Sequence, residues 1–157
     1  MNIKLLAIGK TDNKQLEDLI NNYIKRLGFY IRFDFEIIPD IKKAKNLSES
    51  QQKEKEGKLI LNKIENSDLL ILLDENGKQY DSIGFSDMLQ KHMNSGVKRL
   101  VFVIGGPYGF DSQVYQQANS KISLSKMTFS HQMIRLFFVE QLYRGFTILK
   151  NEPYHHR

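Results

Sequence analysis

Cysteine is absent from the 157 residues, which excludes disulfides, thiolate metal sites and cysteine nucleophiles and agrees with a reducing cytosol. Long apolar runs are absent too. The N-terminal run Ile3 to Ile8 is too short for a signal peptide and has no small-residue cleavage pattern, so a cytoplasmic location is expected. The apolar stretch of the last third is broken by Arg135, Glu140, Arg144 and Lys150 at intervals costly for a lipid-facing span, and no membrane partner is expected. The dinucleotide fingerprint is missing, since only Gly9 stands in the first strand-to-helix turn. Gly9-Lys10-Thr11 imitates the end of a phosphate-binding loop, but Lys4 occupies the place of its first glycine. The four histidines offer no ligand spacing, as His155 and His156 are adjacent and His92 and His131 lie far off, so no metal is expected. No Gly-x-Ser-x-Gly elbow supports a serine nucleophile. Internal repeats and low-complexity stretches are also lacking.

What is there is an ordinary globular composition, with 41% hydrophobic and 26% charged residues, and a length that suits one domain over 1–157. The formal charge of +5 favours an acidic partner, nucleic acid being the commonest.

Ile3 to Ile8 reads as a buried strand closed by Gly9, and Asp12 with Gln15 as a capping box opening an amphipathic helix that Gly28 stops. Ile31, Phe33, Phe35 and Ile37 alternate with charged residues as in a half-exposed edge strand ended by Pro39. Ser48 and Gln51 form a second capping signature for a charged helix to about Ile64, in which Lys53, Glu54, Lys55 and Glu56 read as a solvated face. Leu69 to Leu73 is a central strand, Asp74-Glu75-Asn76-Gly77 a turn, and Asp81 or Ser82 caps the next helix. Leu100 to Ile104 is another central strand, followed by the loop Gly105-Gly106-Pro107-Tyr108-Gly109. A short helix at 113–119 and a short strand at 122–124 lead to Ser125-Lys126-Met127-Thr128-Phe129 and a long helical pattern over 130–150.

Five alternations of strand and helix imply an α/β fold, a mainly parallel sheet with helices on both faces. Ligands of such sheets bind beyond the carboxyl ends of the strands, so the ends near Leu73, Gly105 and Leu124 should meet in one pocket. The last helix is apolar around most of its circumference, from Met133 through Phe137 and Phe138 to Leu149, and so is expected to be buried on two sides, the second by another copy of the chain. Gly145 is expected where a partner backbone crosses closely.

Val103-Ile104-Gly105-Gly106-Pro107-Tyr108-Gly109, Leu124 through Arg135, Glu140-Gln141-Leu142-Tyr143-Arg144 and Pro153-Tyr154-His155 together resemble the RlmH family of SPOUT-class methyltransferases. The likeness extends to Ile3 to Lys10, Tyr23 to Leu27 and Lys53 to Gly57, and so covers essentially the whole chain.

The resemblance implies an enzyme that transfers a methyl group from S-adenosyl-L-methionine to N3 of a pseudouridine in 23S ribosomal RNA, working as a homodimer with a C-terminal α/β knot. It places the cofactor at Leu73, Gly105, Leu124, Ser125, Lys126, Met127, Thr128 and Phe129, with Lys126 either reaching it or touching it through backbone alone. Tyr154 and His155 would handle RNA. Sulfonium methyl transfer is a one-step displacement that needs alignment and a destination for the imide proton. His131 is the first candidate for that proton or for base contact, or else for capping or packing at the helix start, and Arg135 for RNA phosphate, the developing anion or an interfacial ion pair with Glu140 or another acid. A non-catalytic RNA-binding or ribosome-associated module would explain the charge but not the two loops; a flavodoxin-like nucleotide-binding protein would explain the fold but not the missing phosphate loop. The tail Asn151 to Arg157 carries an aromatic, two imidazoles and an arginine, groups suited to stacking on a base and holding phosphate.

Overall fold

A computed structural model describes residues 1–156, and Arg157 of the tail lies outside the described residues. The chain runs β1 (Asn2–Ile8), α1 (Lys14–Leu27), β2 (Arg32–Ile38), α2 (Glu49–Leu61), β3 (Leu69–Gln79), α3 (Ser82–Asn94), β4 (Arg99–Ile104), α4 (Ser112–Gln117), β5 (Ser120–Ser123) and α5 (Met133–Leu149). The strands form one sheet in the order β2-β1-β4-β3-β5, parallel at every pairing. The edge position expected for β2 is the one it takes.

Period-two alternation in the strands builds two cores. Ile3, Leu5 and Ala7 of β1 face one way with Leu100, Phe102 and Ile104 of β4, while Leu6, Ile8, Val101 and Val103 face the other. A strand buried on both faces must be apolar at successive positions, which is why these runs are continuous. The first face is covered by α1, α3 and α5, through residues such as Ile20, Phe85 and Phe138. The second is covered by α2 and α4, through Ile60 and Val114. β4 therefore leads to a helix on one face, while its neighbours β1 and β3 lead to helices on the other. Crevices open at the carboxyl end of a parallel sheet where connections diverge in this way, and here that happens on both sides of β4.

Several local readings change. The cap of α1 is Asn13, whose side chain accepts from the Leu16 backbone N–H, rather than Asp12, because the helix begins one residue later. The capping box at Ser48 and Gln51 forms as expected. Asp81 caps α3 through the Gly84 N–H. The turn expected at 74–77 is instead part of β3, which continues to Gln79 across a register shift against β5 between Leu73 and Lys78. Glu56 does not belong to a solvated face: it is 3% exposed.

The last helix also differs. It starts at Met133, and its second buried side is supplied within the chain, since α5 packs against both α1 and α3. Gly145 meets a neighbour closely, but that neighbour is α3: a Cβ there would lie 3.1 Å from Leu89 Cδ1 and 3.9 Å from Ser86 Cα. What α5 leaves uncovered is a smaller apolar surface at Met133 and Phe137. No helix among the described residues is long and apolar enough to cross a membrane.

Candidate functional site

Beyond the ends of β4 and β5, and beside the register shift in the middle of β3 where the sequence suggests a strand end, lies a cleft of about 550 Å³. Leu73 enters it from β3, Gly105 follows β4, and Leu124, Ser125, Met127, Thr128 and Phe129 come from the segment between β5 and α5. His131 lines the same cleft. Seven of the eight positions carried over from the resemblance thus share one space. Lys126, the eighth, is exposed and not part of the lining.

Local hydrogen bonds hold the 124–132 segment in shape although it contains no regular structure. Ser123 Oγ donates to the Ser125 carbonyl at 2.7 Å, and Ser125 Oγ accepts from the Met127 N–H at 3.0 Å. Thr128 Oγ1 donates to Glu75 Oε2 across the cleft mouth at 3.2 Å. Ser130 Oγ accepts from the Met133 N–H and satisfies a donor at the start of α5 that would otherwise be orphaned. Gln132 then ties the segment to the loop after β1, donating to the Lys10 carbonyl and accepting from the Asp12 N–H.

The walls are mixed. Leu73, Ile104, Leu124, Phe129 and Ile134 are apolar, while Asp74 and Glu75 bring carboxylates. The Tyr115 hydroxyl donates to Asp74 Oδ2, and burial together with that carboxylate pushes the phenol well above its ordinary range. Tyr115 is therefore a neutral donor at any physiological pH. Such a cleft suits a ligand with a flat apolar part and a cationic part. Asp74, Glu75 and Tyr115 were missed in the sequence because 74–77 reads as a turn, and nothing local marks Tyr115 as a lining residue.

Arg135 is a correction. Expected toward RNA phosphate or the developing anion, it is fully buried. Its Nε donates to the His131 carbonyl at 3.0 Å, Nη1 to Thr11 Oγ1 at 3.2 Å, and Nη2 to the Ile8 carbonyl at 2.8 Å. Burial lowers its pKa, and Asp12 and Asp40 act against that shift. Three neutral oxygens use the guanidinium fork, so Arg135 fixes the backbone that presents His131 instead of reaching outward. The ion pair with Glu140 also does not form; Glu140 pairs with Arg144 at 2.7 Å.

Tyr154 and His155 do not line the cleft of their own chain. Tyr154 packs edge-on against Tyr143 with centroids 4.7 Å apart, lies under the Arg144 guanidinium, and donates to Glu140 Oε1 at 2.8 Å. Burial, with the bonds to Tyr23 and Glu140, raises its pKa. His155 Nδ1 lies 3.3 Å from Arg144 Nη1. The tail is thus anchored along α5. Among the described residues no group of three or more His, Asp or Glu side chains could hold a metal ion.

Residues 1–155 match the sequence profile of a family described as "Predicted SPOUT methyltransferase". A protein of Flavobacterium johnsoniae named ribosomal RNA large subunit methyltransferase H is 74% identical over 157 residues, covering all of both chains. One of the same name from Parabacteroides distasonis is 62% identical over 156 residues, 99% of each. Among solved structures, a probable methyltransferase from Bordetella pertussis superposes with a TM-score of 0.58 over 92% of this chain and 96% of that one. A probable methylase family protein from Haemophilus influenzae gives 0.54 over 99% and 71%. Both structures share only 10% identity with this chain, so they speak to the fold alone.

Proposed function

This chain belongs to the SPOUT methyltransferase family and, within it, to the group named ribosomal RNA large subunit methyltransferase H, and on that ground we propose that it methylates N3 of a pseudouridine in 23S ribosomal RNA with S-adenosylmethionine as donor. The observation that carries the reading is the convergence of the ends of β4 and β5, the middle of β3 and the 124–129 loop on one cleft. Its apolar walls suit an adenine, and Asp74 and Glu75 suit the positive charge of a sulfonium and an ammonium. Methyl transfer then asks for alignment: the bond from sulfur to the methyl carbon breaks as the bond from N3 forms, and the N3 proton leaves. In this reading His131 takes that proton, supported by its exposure on the same cleft.

The chain acts as a single catalytic domain and as a homodimer in the cytoplasm. Support for the dimer is the apolar patch of Met127, Phe129, Met133 and Phe137, all solvent-exposed in the single chain, with the rings of Phe129 and Phe137 5.1 Å apart. In that arrangement Tyr154 and His155, which lie away from their own cleft, serve RNA bound at the partner's. The knot belongs to the same reading: after β5 at the sheet edge the chain returns to lay α5 between α1 and α3.

The test is transfer of labelled methyl groups from S-adenosylmethionine, in chelator, to naked 23S RNA, large subunits and assembled ribosomes, with the product base identified by mass spectrometry. The expected product is N3-methylpseudouridine, and transfer should fall steeply with added salt, since phosphate contacts by Lys and Arg release counterions. Cofactor affinity measured by calorimetry should change far less. No transfer to any of the three substrates, or donor binding only when a divalent ion is added, would overturn the proposal.

A further inference from the structure

No residue of α2 lines the cleft, yet two consecutive residues of that helix grip both ends of the loop that does: all of residues 105–110 are in the lining. Glu56 is 3% exposed, and its Oε1 accepts from the Gln52 side-chain amide, one helical turn back, at 2.8 Å. Its carboxylate presses on the start of the loop. A Cβ on Gly106 would lie 2.9 Å from Glu56 Cδ and overlap Oε2. Gly106 has no positive φ, so it is space and not backbone conformation that requires a glycine there. Gly57 meets the far end of the loop: a Cβ on it would lie 3.2 Å from Asp111 Cβ and 3.2 Å from Val114 Cγ2.

Between these two grips the loop closes on itself. The Gly109 N–H donates to the Gly106 carbonyl at 3.1 Å, and the two glycines form an antiparallel bridge. Phe110 then turns inward, 6% exposed, and meets Tyr115 edge-on with centroids 5.7 Å apart. A displacement of Gly106 is therefore carried round the turn to the cleft wall. Glu56 is also a costly residue to bury. Desolvation raises its pKa, against the effect of the Gln52 bond, and a well-packed apolar side chain in the same space would tax the fold less.

Resting on the methyltransferase reading, we infer that Glu56 is a positioning residue for the methyl donor: braced by Gln52 and wedged behind Gly106, its side chain sets where the 105–110 wall of the cleft stands. It acts by shape, without touching donor or RNA. Donor affinity is what it controls, because a binding wall must be held to within about 0.5 Å of its productive place by the residues behind it.

The experiment compares full-length wild type, Glu56→Gln, Glu56→Ala, Gly106→Ala and the Glu56→Ala, Gly106→Ala double variant by calorimetry with S-adenosylmethionine, steady-state methylation of ribosomal RNA and thermal melting. Glu56→Gln keeps the shape and should bind the donor within about twofold of wild type. Glu56→Ala empties the space behind the loop and Gly106→Ala overfills it, so each should raise the donor Kd and KM at least about tenfold while kcat at saturating donor stays within about threefold. In the double variant the new methyl group occupies part of the vacated space, so its Kd should fall below that of either single variant. Wild-type donor affinity in Glu56→Ala, a loss in Glu56→Gln as large as that in Glu56→Ala, or losses that multiply in the double variant would overturn the inference. So would a fall in melting temperature that tracks the loss of affinity across the set, which would make Glu56 a support of the fold alone. A wild type that neither binds the donor nor methylates RNA would instead remove the underlying reading.

Discussion

Arg135 Nη2 donates to the carbonyl oxygen of Ile8 at 2.8 Å, tying the first turn of the last helix to the end of the first strand across 127 positions of sequence. The same guanidinium holds the His131 carbonyl, so one side chain links the fold's closing element to the residue proposed for proton transfer. Arg135→Met should leave the Ile8 and His131 carbonyls without this donor and lower stability by roughly 2–4 kcal/mol. Urea unfolding of the two proteins measures it; a midpoint shift equivalent to well under 1 kcal/mol would mean that water replaces the guanidinium without loss.

Gly105→Val tests the cleft wall. A Cβ at this position would already lie 3.2 Å from the Phe110 ring, so the two further methyl groups must push that ring or enter the cleft. Donor affinity should weaken at least about tenfold, or about 1.4 kcal/mol, while light scattering reports an unchanged mass. Unchanged affinity by calorimetry would place the donor away from Gly105.

Phe137→Lys addresses association. Phe137 is 39% exposed on α5 and packs at a tilt against Phe129, so the substitution spares the interior. Wild type should scatter as twice the chain mass in dilute solution, and the variant as a monomer or an aggregate. A monomeric wild type contradicts the dimer outright.

Tyr154→Ala and His155→Ala separate RNA handling from support of α5. Each should preserve dimer mass and donor affinity but reduce methylation of ribosomal RNA at least about tenfold, equivalent to roughly 1.4 kcal/mol of transition-state stabilisation. Since Tyr154 also bonds Glu140 and packs on Tyr143, a drop in melting temperature is expected for Tyr154→Ala and not for His155→Ala. Normal turnover in both would confine the tail to a structural role.

Much of the fold was written in local pattern. Continuous apolar runs at 69–73 and 100–104, alternation at 31–37 and helical spacing in between are consequences of side-chain period, and period is a property of sequence alone. The loops at 105–109 and 124–129 could be assigned to one pocket from the rule for parallel sheets, and they line one cleft. Local pattern failed where long-range packing reversed it. Glu56 stands in a run of alternating charges that reads as a solvated face, yet the absence of a Cβ on Gly106 makes room for it inside. Arg135 reads as an outward-facing cation until three oxygens from residues 8, 11 and 131 surround it. Residues 74–77 look like a turn because their polarity is judged without β5 beside them. The sequence by itself determined the order of strands and helices and most of their extent, since those follow from neighbours two to four positions away. Tertiary structure alone decided which charged side chains are buried and what they serve, because the energy of a buried charge depends on oxygens and glycines brought from distant parts of the chain.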